Sequence, residues 1–183
     1  MKPITAFIPY SGAEGTKETV DQLQASGSVE RIVLLSTAGD LPPVAGCESL
    51  TVTGLLSSAT MAALGKTLRT PYALLLLHDT RIDFGQFGIE RMVRVAGDTG
   101  AGMVFSDYYD MKDGRRSPHP VIEYQYGSLR DDFNFGSVVL LEREAVRAAL
   151  AEVRSQKLAY AGWYALRLGI TRKAQIVRVG EYL

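Results

Sequence analysis

The chain has 183 residues, of which 46% are hydrophobic and 22% are charged, a composition typical of one globular domain and not of a disordered or fibrous protein. Its 20 basic residues balance 20 acidic ones, so it lacks the net charge with which proteins are drawn to nucleic acid or anionic membranes. The longest apolar run, residues 73–77, is far shorter than the roughly 20 residues that cross a bilayer. The single cysteine, Cys47, excludes an intrachain disulfide. We expect a cytoplasmic protein with no nucleic-acid partner and no membrane span.

Strand-like and helix-like segments alternate through the first hundred residues. Residues 4–9 form a short apolar, β-prone run, and Thr16 is predicted to cap a helix through about Ala25. Further strands are predicted at 31–35, 50–52, 72–77 and 103–105. A helix capped by Ser57 or Ser58 precedes the fourth strand, and apolar residues at helical spacing over 89–96 precede the fifth. This alternation indicates a mostly parallel sheet with helices on both faces.

The pattern changes in the second half of the chain. A turn over residues 112–115 is predicted to join two antiparallel ribbons. A strand over 134–141, a helix around 146–153, a last helix over 160–168 and a last strand over 176–179 follow. We therefore expect one α/β domain over residues 1–183 with an antiparallel C-terminal portion. The abrupt end after Leu183 suggests that the chain is a piece of a longer protein.

Polar residues follow three of the predicted strands. In open α/β sheets a ligand binds outside the carboxyl ends of the strands, so the segments that matter most are 9–11, 36–37 and 78–80. The sequence contains no glycine-rich dinucleotide or phosphate-binding loop, no nucleophile elbow and no clustered Cys/His metal site. Dinucleotide-binding, P-loop and serine-hydrolase functions therefore lack their main support.

Two acidic positions remain as candidates for chemistry. Asp79 ends the most hydrophobic strand. A carboxylate at this position could hold a divalent cation that bridges two phosphates. The alternative is that Asp79 only ends the strand and begins a turn. Asp131 and Asp132 precede the strand at 134–141, and repulsion between adjacent carboxylates raises the pKa of one of them toward that of a general base. A solvated acidic loop is the alternative. Six aromatic residues form either a sugar-binding wall or part of the core: Tyr108, Tyr109, Tyr124, Tyr126, Phe133 and Phe135.

Taken in order, several segments resemble the family 2 glycosyltransferases. Phe7-Ile8-Pro9-Tyr10 is similar to the first strand of that family, and Arg31-Ile32-Val33-Leu34-Leu35-Ser36 to its second. The run 70–80, which ends in His78-Asp79-Thr80, resembles the strand that leads to the metal-binding Asp-x-Asp. Segments 102–109 and 136–145 resemble the following strand and the acceptor half. The likeness covers nearly the whole chain.

The resemblance implies the nucleotide-diphospho-sugar transferase (GT-A) fold. It further implies a nucleotide-binding half at 1–106, an acceptor-side half at 107–183, and a hexosyltransferase that acts in polysaccharide biosynthesis. The donor would be a nucleotide-diphospho-sugar and the acceptor a saccharide or another hydroxyl compound. Magnesium or manganese would be held by Asp79 and His78. The residues implied for the nucleotide-sugar are Pro9, Tyr10, Ser36, His78, Asp79 and Thr80.

The chain departs from the family pattern at three places. Ser36 stands where the family has an aspartate on the base, and His78-Asp79-Thr80 keeps one carboxylate of Asp-x-Asp. The position of the family's general base falls near Tyr160-Ala161, which carries no carboxylate. Two hypotheses follow: a divergent transferase that uses Asp79 for the metal and Asp131 or Asp132 as base, or a transferase-like domain that has lost its metal and binds a ligand or docks onto a partner. A nucleotidylyltransferase is disfavoured because no basic glycine-rich loop follows the first strand.

Overall fold

The computed structural model describes residues 2–39, 41–130, 132–153 and 156–183. In these ranges the strands are β1 (Ile4–Pro9), β2 (Val29–Ser36), β3 (Glu48–Thr51), β4 (Tyr72–Leu76), β5 (Met103–Lys112), β6 (Arg115–His119), β7 (Val138–Glu142) and β8 (Ile176–Tyr182). The helices are α1 (Thr16–Ala25), α2 (Ser58–Thr67), α3 (Gly88–Thr99), α4 (Arg143–Val153) and α5 (Gly162–Thr171). No helix in these ranges is both long enough and apolar enough to cross a membrane.

The strands form one mixed sheet in the order β3-β2-β1-β4-β7-β5-β6, and β8 pairs with β5. The first four strands are parallel. β7 then runs antiparallel to both β4 and β5, while β8 is parallel to β5. The sheet therefore has a parallel N-terminal core and a mixed C-terminal part with an antiparallel centre, which confirms the predicted α/β architecture.

Helices cover both faces of the sheet, because alternate residues of the central strands point to opposite sides. On one face Ile8 and Leu76 pack with α1 and α3, represented by Leu23 and Met92. On the other face Phe7, Leu35 and Leu75 pack with α2, α4 and α5. Each fully buried aliphatic or aromatic side chain stabilises the fold by about 1.5–3 kcal/mol relative to an exposed one. This two-sided core explains why the strands read as continuous apolar runs.

Several element boundaries differ from the prediction. The strand predicted from Asn134 begins at Val138, because Asn134 turns the chain: its Oδ1 accepts a hydrogen bond from the backbone N–H of Gly136, whose φ is +79°. The last helix runs from Gly162 to Thr171, two residues later than predicted at its start. Thr16 is the first residue of α1 and not its cap. β5 is much longer than the predicted strand at 103–105, since it continues into the hairpin with β6.

Candidate functional site at the carboxyl edge of the sheet

The three predicted strand ends meet at one edge of the sheet. β2, β1 and β4 are adjacent and parallel, so Ser36, Tyr10 and the segment after Leu76 leave the sheet at the same edge. The backbone N–H of Tyr10 donates to the carbonyl of Leu35 at 2.8 Å and continues the pairing of β1 with β2. The topology therefore brings together the residues implied for the nucleotide-sugar.

Asp79 is partly exposed and is joined to the β1–α1 loop. Its Oδ2 accepts hydrogen bonds from the backbone N–H of Ser11 at 2.7 Å and from the Ser11 hydroxyl. Its Oδ1 accepts one from the Thr16 hydroxyl at 3.2 Å. Because Thr16 opens α1, the carboxylate lies close to the N-terminus of that helix, where a negative charge is stabilised. Asp79 thus lies beside Tyr10 and outside the hydrophobic core.

The neighbours of Asp79 offer few further metal ligands. His78 and Thr80 are exposed. Asp83 forms an ion pair with Arg81 at 3.0 Å and accepts a hydrogen bond from Gln22. The hydrogen bond from Arg81 lowers the pKa of the Asp83 carboxyl.

The donor set fits a cation that is bound mainly by its ligand. A carboxylate has about four lone-pair positions, and Ser11 and Thr16 occupy three of those on Asp79. Within the described ranges no three His, Cys, Asp or Glu residues are grouped so that they could hold a metal ion. Magnesium commonly keeps several waters and binds through one or two carboxylates and substrate phosphates. Asp79 suits such a site, and a closed protein cage is not formed.

Ser36 and Tyr10 complete the edge on the β2 side. Ser36 is buried, and its Oγ accepts from the Ala38 N–H at 3.0 Å and donates to the Ala38 carbonyl at 2.9 Å. The Tyr10 hydroxyl donates to the carbonyl of Pro42 at 3.1 Å. These bonds fix the segment after β2 against the end of β1.

Two residues, Asp131 and Asp132, were candidates for the general base, and the structure describes the second of them. Asp131 lies outside the described residues. Asp132 is on the loop before β7, where its carboxylate is 66% exposed and bound by Arg130 through two contacts of 3.1 and 3.2 Å. This exposure places Asp132 in water and not in an apolar environment.

A cavity of about 680 Å³ lies at the start of α5, where the family resemblance places a carboxylate. Tyr160, Trp163 and Arg167 are among the residues that line it. Tyr160 is 88% exposed. The Arg167 guanidinium lies 5.3 Å from the centroid of the Trp163 ring and 5.7 Å from that of Tyr164. The walls are therefore aromatic and cationic.

The six aromatic residues do not form one wall. Phe135 is 2% exposed and packs with Phe133 and Tyr124, so this group belongs to the core. Tyr109 stacks on Tyr182, and Tyr126 is 79% exposed. The alternative prediction, that such residues fill the core, describes the Phe135 group.

Sequence reasoning missed a second cavity, of about 380 Å³, between the β4–α3 loop and the β5–β6 hairpin. Thr80, Asp110, Tyr109 and Tyr182 are among the residues that line it. It also missed that Asp110 contacts His119 at 2.8 Å across the hairpin. The predicted turn at 112–115 contained the signal, because a two-residue turn places positions 108 and 119 opposite each other.

Comparisons with known proteins give structural matches only. No family model matches the chain, and no curated protein matches it in sequence. The structure of TarS 1–349 from S. aureus aligns with a TM-score of 0.64 and 9% identity, over 97% of this chain and 58% of that one. Glucosyl-3-phosphoglycerate synthase from M. tuberculosis aligns with a TM-score of 0.62 and 13% identity, over 98% and 71%. The 4-diphosphocytidyl-2C-methyl-D-erythritol synthase from Anaerococcus prevotii aligns with a TM-score of 0.59 and 13% identity, over 98% and 89%.

At these identities the likeness shows the fold. The chain has a GT-A-like α/β architecture with a parallel N-terminal core and a mixed C-terminal part, similar to these structures. The similar structures include both this glucosyl-3-phosphoglycerate synthase and a 2-C-methyl-D-erythritol 4-phosphate cytidylyltransferase from Thermus thermophilus. The reaction therefore has to be argued from the residues of this chain.

Proposed function

We propose that this chain is a glycosyltransferase-like domain, which binds a nucleotide-diphospho-sugar at the carboxyl edge of β2, β1 and β4 and transfers its sugar to a hydroxyl acceptor. The observation that supports the proposal is the position of Asp79, which accepts hydrogen bonds from Ser11 and Thr16 beside Tyr10 and the start of α1. A carboxylate at this edge can share a cation with a diphosphate, and the helix N-terminus favours bound negative charge. Residues 1–106 would bind the donor, and 107–183 the acceptor.

Sugar transfer is favoured over nucleotidyl transfer by the β1–α1 loop. Residues 10–15 contain no arginine or lysine. A nucleotidyl transfer develops charge on a triphosphate, which such reactions neutralise with cationic side chains or metal ions close to the phosphates. This loop offers hydroxyl and amide donors instead, which suit the smaller charge of a diphosphate.

Each residue implied by the family resemblance has a role in this proposal. Pro9, Tyr10 and Ser36 border the nucleoside, and His78, Asp79 and Thr80 border the diphosphate. A magnesium or manganese ion, held by Asp79 with His78, would neutralise the departing nucleoside diphosphate. Asp131 or Asp132 would accept the proton of the acceptor hydroxyl.

A second candidate function is ligand binding without catalysis. It is favoured by the start of α5, where Tyr160 and Ala161 stand at the position for which the family resemblance implies a carboxylate. It is favoured also by Asp79, whose two oxygens are already engaged by Ser11 and Thr16. Loss of a general base reduces a rate by roughly 10²- to 10⁴-fold, so such a domain would retain binding and lose turnover.

Thermal unfolding with UDP-glucose, UDP-N-acetylglucosamine or GDP-mannose, each with and without Mn²⁺, tests the proposal. Wild type and the control Asp98→Ala should gain stability with one donor in the presence of Mn²⁺; a ligand at 100 times its Kd stabilises by about 2.7 kcal/mol. Asp79→Ala, compared with its own ligand-free midpoint, should gain none. Equal shifts in all three proteins would exclude the metal role of Asp79. The absence of any shift would refute donor binding, and binding without release of nucleoside diphosphate would favour the second candidate.

A further inference from the structure

Four side chains form a hydrogen-bonded group at the base of the β5–β6 hairpin. His119 Nδ1 lies 2.8 Å from Asp110 Oδ2, and the His119 ring stacks on Tyr108 with centroids 4.5 Å apart. Asn134 Nδ2 lies 3.2 Å from both His119 Nε2 and the Tyr108 hydroxyl. The loop before β7 thus contacts the hairpin through Asn134.

These contacts fix the protonation of His119. Asn134 Oδ1 accepts from the Gly136 N–H at 2.7 Å, and a backbone N–H only donates. The other end of the amide, which faces His119, is therefore the NH₂ donor, and Nε2 must be its acceptor. Nδ1 then carries the single ring proton and donates it to Asp110. A ring with Nε2–H would direct that hydrogen at a second donor, so the geometry describes the Nδ1–H tautomer of the imidazole.

This neutral form is the one that accepts protons. In an Asp–His pair of this kind, the carboxylate holds the Nδ1–H tautomer and stabilises the imidazolium that forms when Nε2 takes up a proton. Among the described residues, the titratable groups that hydrogen-bond to the ring or stack on it are Asp110 and Tyr108, both from β5, and Asn134 is neutral.

The group lies at the edge of the sheet where the donor is proposed to bind. β4 and β5 run in the same direction on either side of β7, and Leu76 and Phe105 are nearly level because they pair with Val138 and Val139. Asp79 comes after Leu76 in the sequence and Asp110 comes after Phe105, so both lie toward the same edge of the sheet. Thr80, which follows Asp79, and Tyr108 and Asp110, which contact His119, line the same cavity of about 380 Å³, and this cavity offers space for a second substrate.

We propose that His119, held by Asp110, is the proton acceptor for the incoming hydroxyl; this inference rests on the proposed function. The acceptor oxygen would form a bond to the anomeric carbon of the donor sugar. The bond from that carbon to the diphosphate oxygen would break and leave its electron pair on the diphosphate. The hydroxyl proton would pass to His119 Nε2 in place of the hydrogen bond from Asn134.

His119 competes for this role with Asp132. The Asp132 carboxylate is 66% exposed and bound by Arg130, whereas the His119 side chain is 40% exposed and its tautomer is fixed by two hydrogen-bond partners, Asp110 and Asn134. His119 is the better-positioned base, because its ring is held in one orientation.

The test compares the full chain with His119→Gln, Asp110→Asn and Asp132→Asn, and with Glu144→Gln on α4 as a matched surface control. Donor binding is measured first, by the Mn²⁺-dependent thermal shift with the three nucleotide-sugars. Release of nucleoside diphosphate is then followed from pH 5 to 9 (about two units to either side of neutrality), with methyl glycosides as acceptors. We expect His119→Gln to bind the donor normally, to turn over roughly 10²- to 10⁴-fold more slowly and to lose the acid limb of the wild-type profile.

The outcomes separate this inference from the proposed function. If no donor binds to the wild type, donor binding is refuted and the role of His119 fails with it. If the donor binds and His119→Gln retains full turnover, the role of His119 is refuted while donor binding stands. The same conclusion follows if the donor binds and neither the wild type nor any variant turns over. A loss confined to Asp132→Asn would assign the base to that residue. Nitrogen chemical shifts of His119 give an independent check, since a protonated Nε2 at pH 8, about 1.5 units above the ordinary pKa of histidine, would contradict the tautomer.

Discussion

The backbone N–H of Ser11 donates a 2.7 Å hydrogen bond to Asp79 across 68 positions of sequence. The Ser11 hydroxyl binds the same oxygen, and the Thr16 hydroxyl binds the other. The end of β4 therefore fixes both the β1–α1 loop and the first residue of α1. Any ligand that binds Asp79 competes with, or adds to, these existing contacts.

Ser11 and Asp79 should be energetically coupled. Ser11→Ala removes the hydroxyl donor and Asp79→Asn weakens the acceptor, so the double variant should lose less stability than the sum of the two single variants. The expected coupling is about 1 kcal/mol, within the range for residues in one hydrogen-bond network. Urea unfolding of the four proteins measures it. Strict additivity would show that the bond from the Ser11 hydroxyl to Asp79 contributes nothing to the free energy of unfolding.

Asp107 should contribute stability that depends on pH. It is 3% exposed, and its carboxylate accepts hydrogen bonds from Arg178 at 2.6 and 2.9 Å and from the Val121 N–H at 3.0 Å. The Arg178 guanidinium, followed by the Val121 amide, lowers the pKa of this carboxyl. The stabilisation should thus be complete above the unfolded pKa, about 3.9, and be lost as the pH falls through the lower folded value.

Asp107→Asn should therefore reduce the free energy of unfolding at pH 7 by about 1–3 kcal/mol, as expected when a buried acceptor of charged hydrogen bonds is replaced by a weaker one. It should also flatten the decline in stability at acid pH. Chemical unfolding at pH 7 and at a series of acid pH values tests both effects. Glu152→Gln, which removes a partly exposed carboxylate bound by Lys173 and Arg172, serves as the control and should change much less. Equal effects of the two substitutions would contradict the role given to burial.

Two glycines in helices should respond in opposite ways to alanine. A Cβ at Gly162 would lie 2.2 Å from the backbone of both Ser57 and Ser58, so Gly162→Ala should destabilise by about 1–3 kcal/mol or more. At Gly97, inside α3, the nearest atom would be the Tyr72 hydroxyl at 4.0 Å. Gly97→Ala should stabilise by roughly 0.5–1 kcal/mol through helix propensity. Unfolding midpoints of both variants test the contrast, and destabilisation of similar size at both positions would count against it.

The order of the elements could be predicted, because continuous apolar strands and helical periodicity are local signals. The meeting of Tyr10, Ser36 and Asp79 at one edge followed from the general behaviour of parallel strands. Their hydrogen bonds did not, since the contact of Ser11 with Asp79 depends on how the loop folds back over the end of β4. His119 was overlooked for a similar reason: its chemistry comes from Asp110 on the facing strand and Asn134 on a separate loop. The start of β7 was misplaced because Asn134 favours a local turn over the ladder.

β5 has a consequence for how the protein is made. Met103 and Phe105 of β5 are fully buried. One edge of this part of β5 pairs with β8, which is the last of the described strands to be synthesised. Until residues 176–182 have been synthesised, the backbone groups along this edge of β5 are unpaired and are flanked by apolar side chains. Such an edge attracts other unfinished chains. Chaperone demand during translation should therefore depend on how quickly β8 reaches β5.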